Sequence, residues 1–345
     1  MADYLRILHI SDLHIPFDIN DKKRSEKILE RFLCILKLNT HSSYYQKVQP
    51  IDHIIITGDL YNSSTAEINY DLAVKEIIEI LLKIMDAALV KDRKYVHLVP
   101  GNHDLVRDDK DVALNDILNN PDTAFNSVDS ILKLKGRFNH FWELCDAFYG
   151  YENPWKSDIK RVHCHVIAGN TAFIYMNTEM LSISTKKDDR LGMSTVTSKV
   201  IDTTDLNFGI NHMINHIATL LPSHIDTIIF LAHHPICQNQ ETDELKKYIS
   251  GTDKNYYWFC GHMHSDRIVP CDYMHVYQSG GLFGIGHTIP DFTIHSISNE
   301  NESKRSAFRY LYHLNDGDMD GNGGWKQVFL YRDSTTSQGK TINYL

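Results

Sequence analysis

The chain has 345 residues, 42% hydrophobic and 23% charged, the balance of an ordinary folded protein. Its net charge of −9 argues against non-specific nucleic-acid binding, which depends on neutralising phosphates, although bound divalent cations would offset part of that charge locally. Six scattered cysteines without a C-x-x-C pair exclude a zinc ribbon and suit a reducing compartment. The N-terminus does not read as a signal peptide, and no apolar run is long enough to span a bilayer. A cytoplasmic protein with no membrane association is expected, built as a single domain over 1–345 with insertions.

Leu5 to Ile10 reads as a first strand, ending in Ser11-Asp12-Leu13-His14. Asp12 and His14 stand two apart, so an extended backbone turns both to one side, as a pair of metal ligands requires; a polar loop after a strand has the same look. Lys22 to Leu38 carries apolar residues at helical spacing and forms a crossover helix. Ile54 to Ile56 reads as a strand buried on both faces. It ends in Gly58-Asp59, where glycine permits a sharp turn and the carboxylate is held at the strand's C-terminal mouth, the place where ligands collect in open α/β sheets. Tyr70 to Lys91 is a second amphipathic helix. Tyr95 to Val99 is a third strand and runs into Pro100-Gly101-Asn102-His103-Asp104. This β-α-β-α-β order implies a parallel sheet with right-handed crossovers.

Residues 105–161 read as an insertion that forms a small cap; within it, Phe138 to Tyr149 is a helix whose aromatic stripe is read as core. Val162 to Ala168 and Ala172 to Asn177 are strands joined by Gly169-Asn170, a tight hairpin that points to a second, mixed or antiparallel sheet. A polar loop is expected around 182–207, then a helix over Gly209 to Leu221. Thr227 to Ala232 is a buried strand ending in His233-His234-Pro235. Tyr256 to Cys260 ends in Gly261-His262-Met263-His264, which repeats the spacing of Asp12 and His14. The remaining segments are short strands: His275 to Ser279, Phe292 to Ser298, Phe308 to Leu314 and Lys326 to Arg332. Asp316 to Gly321 opens like a calcium loop, but Gln327 stands where such a loop needs glutamate, so a hairpin loop is the better reading.

Five buried strands thus end in polar clusters, and several of the chain's 20 histidines fall there. The ligand set is mixed nitrogen and oxygen without thiolate, which suits manganese, iron, zinc or nickel. It is too large for one ion with an open position. Two divalent ions about 3.5–4 Å apart would use it fully, with Asp59, from the central strand, bridging them.

In this order the motifs Asp12-Leu13-His14, Gly58-Asp59, Gly101-Asn102-His103-Asp104, His233-His234-Pro235 and Gly261-His262-Met263-His264 closely resemble the calcineurin-like metallophosphoesterase superfamily. The resemblance implies an α/β fold of two mixed β-sheets packed as a sandwich and flanked by helices, in four layers. It implies that Asp12, His14, Asp59 and His264 hold one metal and that Asp59, Asn102, His233 and His262 hold the other. It gives His103 the role of proton donor to the leaving oxygen, with Asp104 orienting it. His234 is then an outer support or a weak substrate contact, and Arg107 and Arg267 are weak candidates for touching phosphate. The implied reaction is hydrolysis of a phosphodiester, nucleotide or nucleic acid, by in-line attack of a metal-bridging hydroxide, with manganese the favoured metal. Other readings are a phosphomonoesterase or protein phosphatase, a nuclease like the subunits of double-strand-break repair complexes, and a silent scaffold of the same fold. The short stretch after the last motif and the lack of a basic stripe argue against the nuclease subunit; the unbroken motifs argue against the scaffold.

Overall fold

The computed structural model describes residues 4–17, 22–41, 50–62, 68–106, 113, 116, 128–157, 163–180, 218–236, 242–264, 267–269, 271, 273–284, 288–298, 306–313 and 324–332. Strands β1 (Tyr4–Ile10), β2 (His53–Thr57) and β3 (Val96–Val99) run parallel, joined by helices α1 (Lys22–His41) and α2 (Tyr70–Ala88). Three later strands, β10 (Asp291–Ser298), β11 (Ser306–His313) and β12 (Gly324–Arg332), continue this sheet antiparallel beyond β1, giving the order β12-β11-β10-β1-β2-β3. A second sheet has the order β4-β5-β6-β7-β9-β8. In it β5 (Thr171–Met176), β6 (Thr227–Leu231), β7 (Asn255–Cys260) and β9 (His275–Gln278) are parallel, with β4 (His163–Ala168) and β8 (Arg267–Val269) antiparallel at the edges.

Strand alternation builds the layers. In β5, Phe173 and Tyr175 join one core cluster with the first sheet, α1 and α2; Ala172, Ile174 and Met176 join another that includes Leu245 and Ile249 of a short helix (Thr242–Ile249). The sequence helix–sheet–sheet–helix is therefore the four-layered α/β sandwich expected from the motifs.

The insertion contributes helices α3 (Val128–Gly136) and α4 (Asn139–Tyr149), and the helix over Thr242–Ile249 is α5. The aromatic stripe is core as expected: Phe141, Phe148 and Trp155 are fully buried. Tyr149 Oη donates to Val96 O (2.7 Å) and accepts from Leu98 N–H (3.1 Å), while Trp155 Nε1–H donates to Leu98 O (3.1 Å). The segment thus completes the hydrogen bonding of β3, the edge strand of the first sheet. This is the described part of the expected cap, and what it covers is a sheet edge.

Boundaries shift for local reasons. α2 stops at Ala88, not Lys91, because Leu89 takes a left-handed conformation (φ 62°) whose amide closes onto Asp86 O and Met85 O. α3, α5 and β8 had no sequence signal strong enough to name them, being 9, 8 and 3 residues long. The loop at 182–207, Arg107 and Asp316–Gly321 lie outside the described residues, as does most of the helix expected from Gly209. β11 and β12 flank 316–321 as an antiparallel pair. The described cysteines are free thiols.

Candidate metal centre

The five clusters converge where the C-terminal ends of β1, β2 and β3 meet those of β6 and β7. Backbone bonds extend the ladder past the strands: Asp12 N–H donates to Gly58 O (3.1 Å), His14 N–H to Asp59 O (2.9 Å) and Ile15 N–H to Leu60 O (2.8 Å). The loops after β1 and β2 therefore run side by side. In the second sheet Gly261 N–H to His233 O (2.9 Å) and Ser279 N–H to Cys260 O (2.9 Å) extend the pairing in the same way, and Leu282 N–H to Ser11 O (3.1 Å) crosses to the first sheet.

Extended backbone is not what aligns the paired ligands, contrary to the reading from spacing. Asp12, His14, Asp59, His262 and His264 all have positive φ, at 53°, 47°, 53°, 70° and 47°. Among the described non-glycine residues only Leu89 joins them. A left-handed conformation costs a residue with a Cβ on the order of 1–3 kcal/mol, and such strain persists where its surroundings over-determine it. Here it turns ligand after ligand inward. Glycine is required beside them: a Cβ at Gly58 would lie 2.5 Å from His233 Nδ1, and one at Gly101 would collide with the backbone and carboxylate of Asp59.

Asp59 sits at the middle. Its Oδ1 accepts from His103 N–H (2.7 Å). Its Oδ2 lies 3.7 Å from His14 Nε2 on one side and 3.3 Å from His233 Nε2 on the other. On the first side, Asp12 Oδ1 is 3.8 Å from His14 Nε2 and 3.5 Å from His264 Nε2, and one ligand atom from each of Asp12, His14, Asp59 and His264 falls within 4.8 Å of the others. On the second side, Asn102 Oδ1 is 2.9 Å from His233 Nε2 and 3.1 Å from His262 Nδ1. His233 Nδ1–H donates to Thr57 O (2.6 Å), which leaves Nε2 to face the oxygens.

This arrangement fits cations. Asp12 Oδ1 and His14 Nε2 are buried with no hydrogen-bond partner, and lone pairs of imidazole, amide and carboxylate point at one another across 3–4 Å, an arrangement that a shared positive charge relieves. The charges respond accordingly. Burial opposes ionisation of Asp59, but the neighbouring His233 and His103 outweigh it and hold the carboxyl well below the usual range. Burial also opposes charge on His233, yet Asp59 outweighs that and raises the ring well above its ordinary value.

Asp104 is buried, and both its oxygens take backbone amides: Oδ2 from Gly101 (2.7 Å) and Oδ1 from Tyr61 (2.8 Å). It therefore braces the turn that carries His103. Burial, with Asp59 adding to it, pushes the Asp104 carboxyl up to about 7. His103 is half-buried at the mouth, its ring 4.7 Å from that of His14. His234, read as a support or a substrate contact, is wholly buried and pairs with Glu179, so it supports and does not reach the mouth. Glu179 itself went unread. It stands in Asn177-Thr178-Glu179, the polar run that follows β5 and that becomes a site neighbour only through the pairing of β5 with β6. The side chains of Arg107 and Arg267 lie outside the described residues.

A sequence model of calcineurin-like phosphoesterases matches residues 5–266, which span every one of these ligands. The chain belongs to the calcineurin-like phosphoesterase family. Membership supports a metal-dependent hydrolase of phosphate esters. A related protein, the uncharacterized metallophosphoesterase-like YydB of Bacillus subtilis (strain 168), is 27% identical over 156 residues, 44% of this chain and 29% of YydB. The match thus spans less than a third of that relative. Solved structures similar to this chain include the phosphopantetheinyl hydrolase PptH of Mycobacterium tuberculosis (14% identity, 81% of this chain and 91% of that one, TM-score 0.37). Another is a conserved protein described as a predicted phosphoesterase from Streptococcus pneumoniae (10% identity, 95% and 99%, TM-score 0.31). Likenesses this loose carry no argument about activity. No helix among the described residues is long and apolar enough to cross a membrane.

Proposed function

We propose that this chain is a phosphodiesterase that holds two divalent cations around Asp59, acting on nucleotides or nucleic acid. The observation that carries the reading is the shared oxygen: Asp59 Oδ2 lies 3.7 Å from His14 Nε2 and 3.3 Å from His233 Nε2, with Asp12 and His264 on the first side and Asn102 and His262 on the second. Asp12, His14, Asp59 and His264 would hold one ion, and Asp59, Asn102, His233 and His262 the other. Two such cations, manganese first and iron, zinc or nickel as alternatives, supply Lewis acidity that lowers the pKa of a water and neutralises charge on the phosphoryl oxygens.

The chain's own groups do the rest. His103, anchored by its amide on Asp59, stands at the mouth and protonates the departing alkoxide as the P–O bond breaks. Asp104 holds the turn that aims it. The side chains set around Asp59 among the described residues are carboxylates, imidazoles and one amide, with no guanidinium.

A manganese-supplemented panel tests this: bis-p-nitrophenyl phosphate, p-nitrophenyl phosphate, cyclic nucleotides, and single- and double-stranded DNA. Hydrolysis of the diesters, abolished by a chelator, is the expected result. Turnover of the monoester alone overturns the diester preference, and no turnover of any ester favours a scaffold.

A further inference from the structure

Behind the Asn102 half of the site lies a buried polar layer that joins the His233-His234 motif to three residues outside all five motifs. β5 and β6 pair in parallel up to Tyr175 opposite Leu231, and both continue into polar residues: Asn177-Thr178-Glu179 from one, His233-His234 from the other. All five are fully buried. Such groups persist in an interior only when their bonding is fixed. Glu179 Oε1 pairs with His234 Nδ1 and accepts from Thr178 Oγ1–H (2.8 Å), while Asn177 Oδ1 accepts from Glu179 N–H (3.1 Å). Trp258 Nε1–H donates to His234 O (3.1 Å), fixing the backbone beneath the ring.

The pair meets the site at two rings, edge-on at 5.2 Å to that of His233 and closer to that of His262. The ring of His234 lies 4.1 Å from that of His262, centroid to centroid, and His262 turns its Nδ1 to within 3.1 Å of Asn102 Oδ1. His262 is the more exposed of the two imidazoles in this half, and His233 is already held by its bond to Thr57 O. The orientation of His262 therefore depends on what stands behind it. We propose that Glu179 and His234 are positioning residues for the second cation: the carboxylate fixes His234 with its proton on Nδ1, and the fixed ring keeps His262 Nδ1 beside Asn102. This rests on the two-cation reading above.

Outer partners of metal-bound imidazoles typically change affinity by about 10–100-fold when removed. The test is a manganese titration of the full chain, read by calorimetry, by metal content after desalting and by electron paramagnetic resonance. The variants are Glu179→Gln, which keeps size and removes charge, and His234→Phe, which keeps a ring against His262 and removes its nitrogens. In both, the first ion should bind as in the wild type and the second about 10–100-fold more weakly. The spin-coupled signal of a manganese pair should give way to that of isolated manganese, with the thermal midpoint little changed. Wild-type binding of both ions in His234→Phe overturns the proposal even if Glu179→Gln does not fold. So does an equal weakening of both ions together with a lowered midpoint, the mark of a merely structural role. A wild type that loads fewer than two ions sinks the two-cation reading along with this one, whereas two ions in the wild type and in both variants sinks this one alone.

Discussion

At the rim, His14, His233, His262 and His264 stand beside Asp12 and Asp59; between the sheets, His9, His53, His97 and His295 stand against rings. His97 stacks on Phe173 at 4.1 Å, His9 meets Phe259 edge-on at 5.0 Å, and His295 lies 4.6 Å from Tyr277. The inner set is bonded in short chains: His53 Nδ1 to His97 Nε2 (2.8 Å), His97 Nδ1 to Tyr175 Oη (2.5 Å), His9 Nε2 to Thr57 Oγ1 (3.0 Å). Burial without a carboxylate partner keeps these rings neutral, lowering His53 to about 4 and His97 well below the ordinary range. One residue type thus lines a candidate metal site in one place and serves as flat, polar-edged filler in the other. What separates the roles is the neighbouring carboxylate and, at His14, His262 and His264, the left-handed backbone, not the histidine. The two regions meet at Thr57, whose hydroxyl bonds His9 and whose carbonyl takes His233.

Substitutions can break that contrast in order of expected effect. Asp59→Asn removes the shared oxygen's charge and should lower diester hydrolysis by about a thousandfold or more, while circular dichroism and the thermal midpoint stay close to wild type. Retained turnover would detach the rim from catalysis. His103→Ala leaves every ligand in place, so metal content should persist while turnover falls by about 10²-fold or more. An unchanged rate in that variant removes its role as acid. His97→Ala attacks the inner set alone. It opens a void beside Phe173 and strands Tyr175 and His53, so urea denaturation should show a loss of roughly 2–4 kcal/mol. Its turnover per folded molecule should match wild type; a selective loss of activity would mean that the inner set is not filler.

Acid gives the mildest contrast. His53, at about 4 in the fold against an ordinary 6.5, binds fewer protons folded than unfolded between those values. Its stabilisation is therefore full above pH 6.5 and drains as pH falls toward 4, on the order of 3 kcal/mol in all. Urea midpoints of metal-free protein should drop across that window, and His53→Phe should flatten part of the drop. An identical slope in the variant would assign the acid sensitivity elsewhere.

The rim was legible in the sequence because each ligand sits within a few residues of a strand end, and apolar β-branched runs such as Ile54–Ile56 mark those ends plainly. The inner histidines were not, because the pattern that buries them depends on which sheet faces which, and His53 opposite Phe173 is a contact between distant strands. Glu179 was missed for a related reason. Asn177-Thr178-Glu179 looks like any polar loop until β5 is placed next to β6, a parallel pairing that local sequence does not encode. The left-handed turns at Asp12, His14, His262 and His264 were also illegible, since nothing in the side chains announces them. The structure gathers these residues in one place through left-handed backbone, where their spacing suggested extended backbone.

The most direct measurement is anomalous diffraction at the manganese edge from crystals of the manganese-loaded chain. Two peaks about 3.5–4 Å apart with the Asp59 carboxylate between them are the predicted result. A single peak, or two peaks that do not share Asp59, would contradict the account.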